Sequence, residues 1–404
     1  MKKMLFVMSG MNIGGAERAL LGLLSAIDYE KYSVDLFLLS RRGELMGHID
    51  ERVNILPRDK RFSIYARPLS SVIKRHNFAA AWGRIKAKSA AKRFNKKHCY
   101  RQTSGVELEY SHKYTVKYLP MINPEVEYDL AVSFITPHYI VAQKVNAKKK
   151  IAWIHTDYTR MNIDTDSELK MWDAYDRVIS ISDSVTKGFL TKFPTLEQKI
   201  TVIEHIIPRE FIYSQAESLE SLVAEDMMPK RSGGVNFLSI GRFCFAKNFD
   251  NVPEMCKLVR EMGVDAKWYL IGFGPEEVLI RSKIKEFDMD EYVIILGKKA
   301  NPYPYLAKCD YYVQPSRFEG KAVTVCESLL LQKQTVIADY DTAPSQIRNG
   351  VDGVILSQKT KEFARELVAF VHNKELQKKI CREMSITDYS GKSEVEKLYD
   401  LMED

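Results

Sequence analysis

The chain has 404 residues, 45% of them apolar and 28% charged, which excludes a disordered polymer and is too long for one comfortable core, so two or three domains are expected. No run approaches the roughly eighteen apolar residues of a membrane-spanning helix. The net charge of +7 is unevenly placed: thirteen Lys or Arg and no Asp or Glu lie between Lys60 and Arg101, leaving −6 on the rest. That concentration predicts a local electropositive face rather than a generally basic protein.

In chain order, MKKMLFVMSGMNIGG places two lysines before a short apolar run that breaks at Ser9-Gly10 without a small-residue cleavage pattern. It reads as a first strand and a glycine turn, not as a secretion signal. GGAERALLGLLSAI follows as an amphipathic helix, YSVDLFLLS as a second strand and RVNILP as a short third. This order predicts a parallel sheet covered by helices on both faces. Residues 65–98 are alanine-rich and helix-compatible, with apolar groups on one side and bases elsewhere. DLAVSFI, KIAWIH and RVISIS resume the strands, and SVTKGFLTKF predicts a helix before KITVIEHI.

Residues 207–234, with a proline, an acidic polar stretch and then Pro-Lys-Arg-Ser-Gly-Gly, form the clearest boundary. VNFLSIGR opens a second alternating unit, whose further strands fall in AKWYLIGFG, YVIILG, YYVQPS and TVIAD. The expected divisions are a first domain at 1–206 with a basic helical insertion at about 60–117, a linker at 207–234, a second domain at 235–380, and a helical segment at 381–404. Both domains are expected to be Rossmann-like, doubly wound α/β sheets, which bind ligands outside the carboxyl ends of their strands.

The six cysteines form no CxxC pair, which in a chain of this length suggests a reducing compartment, and the eight histidines show no metal-ligand spacing. Gly14-Gly15 lies between a strand and a helix, where N–H groups and the helix field favour a phosphate or carboxylate; a plain tight turn is the alternative. No GxGxxG or GxxxxGK[ST] is present. In IGRFCFAKNFD, Arg242 and Lys247 sit five apart on a strand-to-helix loop. Two cations so placed can hold a diphosphate and stabilise it as a leaving group. In SRFEGKAVTVCESLLL, Glu319 falls on a loop beside Gly320 and Glu327 in the first turns of the next helix. One carboxylate can take ribose hydroxyls and the other a sugar; a helix turn stabilised by its dipole is the alternative.

GGAER, GRFxxxKN, IGFGPEE and the Glu-x7-Glu segment occur in one order along the chain. With them the chain resembles the retaining nucleotide-sugar glycosyltransferases of family 4, the "group 1" family, over nearly its whole length and least from about 56 to 125. The resemblance implies the GT-B architecture: two Rossmann-like domains facing across a cleft, with a C-terminal helix returning to the first. It implies that Arg242 and Lys247 grip the donor diphosphate and that Glu327 binds the ribose. Glu319, with the backbone of Gly320, Lys321, Ala322 and Val323, would hold the sugar. Gly15 would lie beside the phosphate or the acceptor, and His155 would approach the sugar from the opposite wall; without the resemblance, His155 reads as a strand-end hydrogen-bonding residue. Glu319, His155, Arg242 and Lys247 are the catalytic candidates. No cofactor and no divalent metal would be required beyond the donor itself, a UDP-sugar. Two departures are Lys321 directly after Gly320, and His205 in VIEHIIP where the family commonly has asparagine.

The implied reaction moves a sugar, with retained configuration, to a hydroxyl of a glycan or polyprenyl-linked acceptor in bacterial surface polysaccharide assembly. Residues 60–101 would attach the protein peripherally to an anionic membrane on its cytoplasmic face, within a biosynthetic complex; a polyanionic glycan, an acidic protein partner or plain solubility are the alternatives for this stretch, and no nucleic-acid-binding module is recognisable. The competing readings are a nucleotide-sugar epimerase of the same architecture and a non-catalytic sugar-nucleotide or glycan-binding subunit.

Overall fold

Residues 1–65, 72, 78–100, 105–218, 223–224 and 227–403 are described by the computed structural model. They form two units, Met1–Ile206 with Lys392–Asp404, and Ile207–Gly391. The first contains β1 (Lys2–Met8), β2 (Tyr32–Leu38), β3 (Asn54–Ile55), β4 (Tyr128–Ser133), β5 (Ala147–Ile154), β6 (Arg177–Ser180) and β7 (Ile200–Val202). They build a parallel sheet in the order β3-β2-β1-β4-β5-β6-β7. Met4 to Met8 of β1 are at most 2% exposed, and Phe6 lies between Leu36 and Val132. A strand covered on both faces needs apolar residues without alternation, which this run supplies.

The second unit contains β8 (Val235–Ile240), β9 (Ala266–Ile271), β10 (Val293–Gly297), β11 (Tyr311–Gln314), β12 (Gln334–Ala338) and β13 (Val354–Leu356). These form a parallel sheet in the order β10-β9-β8-β11-β12-β13. A buried polar chain crosses its centre: Trp268 Nε1 donates to Ser239 Oγ at 2.9 Å, and Ser239 Oγ donates to the Val313 carbonyl at 2.6 Å. The chain order reverses between β1 and β4 in one sheet and between β8 and β11 in the other. Such switch points leave a crevice at the carboxyl ends of the strands. The folds of both units are the doubly wound α/β type expected.

Residues 207–216, placed by sequence in a linker, include a helix at Arg209–Ala216. Its Ile212 is fully buried in a cluster with Tyr303, Val323 and Leu330, so apolar packing orders this piece. The C-terminal helix Glu394–Glu403 belongs to the first unit, where Leu398 is fully buried and Tyr399 stacks on Tyr32 at 4.3 Å. The basic stretch contains a helix at Phe78–Lys97; Arg67, Lys74, Arg75 and Arg101 lie outside the described residues.

Candidate functional site

The loops that leave β8 and β11 flank the switch point of the second sheet, and they carry the charged residues singled out in the sequence. After β8, the chain runs through Gly241 and Arg242 into a short turn at Phe245–Lys247. Asn248 then adopts a left-handed conformation (φ 60°), its amide donating to the Pro315 carbonyl at 2.9 Å. The β8 loop is thereby tied to the β11 loop. The loop after β9 closes against it: a Cβ on Gly272 would lie 1.9 Å from the Gly241 carbonyl oxygen, and one on Gly274 2.3 Å from that of Phe243. IGFG is therefore glycine-rich because backbone meets backbone there.

Glu319 is the hub of the β11 loop. Its Oε1 accepts from Lys247 Nζ at 2.6 Å, Gln314 Nε2 at 2.8 Å and Ser316 Oγ at 2.5 Å, while Oε2 makes no hydrogen bond among the described residues. The Lys247–Glu319 pair is mostly buried, with side chains 19% and 12% exposed. One N–H of the ammonium is used, and two remain for another acceptor. Arg317 is committed elsewhere: it forks onto Asp250 at 2.9 and 2.7 Å and stacks over Phe245 at 4.3 Å. Arg242 is exposed and makes no ion pair among the described residues.

Beyond Glu319 the backbone is held on both sides of Gly320 and Lys321. Thr342 Oγ1 donates to the Glu319 carbonyl at 3.0 Å, and the Ala322 N–H donates to Gln346 Oε1 at 2.8 Å. Ala322 is the N-cap of the helix Val323–Leu330, whose first turn has no side-chain cap. An N-terminus of this kind presents N–H groups and a positive field to an anion. Glu327 lies within that helix, 1% exposed, and Tyr303 Oη donates to its Oε1 at 2.8 Å. Sequence reasoning missed Gln314, Ser316, Tyr303, Thr342 and Gln346. Polar residues closing the buried strand YYVQPS were the available signal for the first two.

Gly15 and His155 belong to the first unit. Gly15 is exposed and opens the helix Gly15–Ala26 after the extended N-cap Gly14. His155 follows β5 and packs on Phe134 at 4.8 Å and on His205 at 5.8 Å with nearly parallel rings. Burial pushes its imidazole down to about 4, against a hydrogen bond to the Phe134 carbonyl that favours the charged form. The ring is therefore neutral near pH 7, and its Nε2 is buried with no hydrogen-bond partner among the described residues. The chain has Asp-x-Asp triplets at 164–166, 288–290 and 339–341, but no group of three or more potential metal ligands converges among the described residues. Asp164 instead caps the helix Thr165–Asp173.

Residues 228–384 match the family described as glycosyl transferases group 1. Over 172 residues the chain is 26% identical to the N-acetylgalactosamine-N,N'-diacetylbacillosaminyl-diphospho-undecaprenol 4-alpha-N-acetylgalactosaminyltransferase of Campylobacter jejuni, covering 43% of this chain and 44% of that one. Over 197 residues it is 23% identical to the amylovoran biosynthesis glycosyltransferase AmsD of Erwinia amylovora, covering 48% and 53%. The chain thus spans about half the length of these relatives. HepE from Anabaena, solved in complex with UDP and glucose, superposes with a TM-score of 0.70 at 14% identity over 100% of both chains. The chain has the GT-B fold of the glycosyltransferases, and the larger part of its second unit matches their group 1 domain.

Proposed function

We propose that this protein is a retaining glycosyltransferase of family 4 that moves a sugar from a nucleoside diphosphate sugar, a UDP-sugar, to a hydroxyl of a glycan or lipid-linked acceptor. The observation that carries this reading is the hub at Glu319. Three donors fix one carboxylate oxygen and leave the other to accept a sugar hydroxyl, with Lys247 at its side. A site this preset has little reorganisation left when the ligand arrives. Arg242, exposed on the same loop as Lys247, takes the diphosphate with it, and the uncapped turn from Val323 adds N–H groups. Glu327 takes the ribose, exchanging its Tyr303 contact or sharing it. Gly15 and His155 serve the acceptor and sugar from the first unit, where a neutral His155 acts as a hydrogen-bonding group rather than as a cation.

In this reading the departing diphosphate oxygen takes the acceptor proton, and the acceptor oxygen attacks from the same face, so no side chain forms a covalent intermediate. The residues supply electrostatics: Arg242 and Lys247 offset the charge that grows on the leaving group, so that no divalent metal is required. Binding of UDP and UDP-sugars followed by native mass spectrometry tests it. Arg242→Ala should weaken UDP binding about tenfold or more, the worth of a charge-assisted hydrogen bond. Unchanged binding in both Arg242→Ala and Glu327→Ala would reject this donor placement.

The acceptor setting, bacterial surface polysaccharide assembly at the cytoplasmic membrane face, is supported by the activities of the relatives and by the helix Phe78–Lys97. Ala80, Ala81, Gly83, Ala87 and Ala91 are its buried residues, while Phe78, Trp82 and Ile85 are 62%, 55% and 42% exposed at helical spacing. Lys86, Lys88, Lys92, Arg93, Lys96 and Lys97 are exposed beside them. Phe94, by contrast, stacks on His98 at 4.0 Å. Each base is worth roughly 1 kcal/mol near an anionic surface, and the apolar groups add insertion. No helix among the described residues is long and apolar enough to cross a membrane. Sedimentation with phosphatidylglycerol vesicles should fall for Trp82→Ala and at high salt; equal sedimentation with phosphatidylcholine vesicles would reject the anionic surface.

A further inference from the structure

The first unit holds a partly open cavity of about 190 Å³ between the helices Gly105–Thr115 and Thr165–Asp173 and the ends of β4 and β5. Glu109, Glu168, His155 and Trp172 all line it. Glu109 is 7% exposed; its Oε1 accepts from Tyr139 Oη at 2.5 Å and Ser167 Oγ at 2.7 Å, yet its Oε2 is buried without a hydrogen-bond partner among the described residues. His155 Nε2 is a second orphan and, with the ring's other nitrogen facing the Phe134 carbonyl, it is an acceptor. Trp172 Nε1 is a third; it is near the Glu168 carboxyl but lacks hydrogen-bond geometry to it.

A buried carboxylate oxygen without a partner costs more than an ordinary hydrogen bond returns, so a native fold keeps one only where something else fills the position. Water alone is a poor occupant. The cavity has room for about six waters at roughly 30 Å³ each, and each needs two to four polar partners. Ile135, Ile154, Met161 and Met171 lie among the polar residues of the wall and supply none, so waters beside them go short of partners. The orphan set comprises two acceptors and one donor. An ammonium would serve the acceptors and strand the indole N–H; a carboxylate or phosphate would face Glu109. Hydroxyls both donate and accept, and the apolar and aromatic walls suit the C–H faces of a sugar.

We infer that this cavity is a binding pocket for a hydroxyl-bearing unit, a single sugar ring or short polyol, anchored by a hydroxyl that donates to Glu109 Oε2. That its occupant is part of the glycosyl acceptor rests on the function proposed above; the pocket itself does not. Leu108 lines it and is 53% exposed, so the cavity reaches the surface beside that residue.

Saturation-transfer NMR on the full chain, with methyl glycopyranosides, glycerol and ethylammonium as probes, tests the pocket. Glu109→Gln keeps the Tyr139 and Ser167 bonds but replaces the orphan acceptor by a donor, and Leu108→Trp blocks the opening without touching the polar groups. The expected result is transfer to the glycosides, weakened about tenfold or more by Glu109→Gln and abolished by Leu108→Trp, with melting temperatures and UDP affinity retained. Transfer to ethylammonium alone, no transfer to any probe, or wild-type transfer in both variants would overturn it. UDP binding separates the two readings: its loss with glycoside binding intact sinks the donor site, and the converse sinks the pocket.

Discussion

Lys247 and Glu319 lie 72 residues apart in sequence and 2.6 Å apart in the fold, and both are mostly buried. Removing one partner of such a pair leaves the other charge desolvated, a larger penalty than the pair's own worth. Lys247→Ala should therefore lose UDP binding and also destabilise the second unit, whereas Arg242→Ala, at an exposed position, should lose binding with stability unchanged. Urea unfolding beside UDP titration separates the two, and equal stability losses would contradict the assignment. Glu168 makes a second case. Burial and the nearby Glu109 raise its carboxyl from an ordinary 4.5 to about 7, so between those values the folded chain keeps a proton that the unfolded chain releases. Stability from this group falls as pH rises through that window, and the full cost is present above about 7. His155, held down to about 4, and His112 and His138, to about 3, act oppositely: the unfolded chain takes up their protons first as pH drops below 6.5. Glu168→Gln retains an acceptor for Tyr158 and removes only the first effect. It should stabilise by about 2–3 kcal/mol more at about pH 8 than at about pH 5; an equal change at both would reject the buried acid.

At the scale of elements, the loops after β8, β9 and β11 work as one piece. Gly272 and Gly274 bring the β9 loop against the β8 loop at backbone distance, with φ of 156° and 159°. Gly274→Ala would put its methyl 2.3 Å from the Phe243 carbonyl oxygen, so the β8 loop must shift and Arg242 and Lys247 with it. Weakened UDP binding without any substitution of a binding side chain is the expected outcome, and wild-type affinity in this variant would show that the loop tolerates displacement. The C-terminal helix offers a stability test. Leu398→Ala removes a fully buried side chain and should cost about 2–5 kcal/mol in the unfolding of the first unit.

For the molecule as a whole, the strands were legible because parallel strands buried on both faces are written as short, mostly apolar runs, and MLFVM and NFLSI are such runs, each ending at a glycine turn. The charged residues of the second unit were legible one by one, on loops that follow strands. Their pairing was not, since nothing in Lys247 or Glu319 states which neighbour it meets. Glu109 was illegible for a related reason: Glu107 and Glu109 look alike in GVELEYSH, and only packing in the first unit buries one and exposes the other. The helix at Arg209–Ala216 was hidden by the proline before it and the acidic stretch after it. The proposed activity depends first on the second unit holding the diphosphate of an activated sugar through Arg242 and Lys247. Calorimetric titration of UDP into the full chain and into Arg242→Ala tests this most directly: saturable binding without added metal is expected, weakened about tenfold or more by the substitution with an unchanged melting temperature, and identical titrations for the two proteins would contradict it.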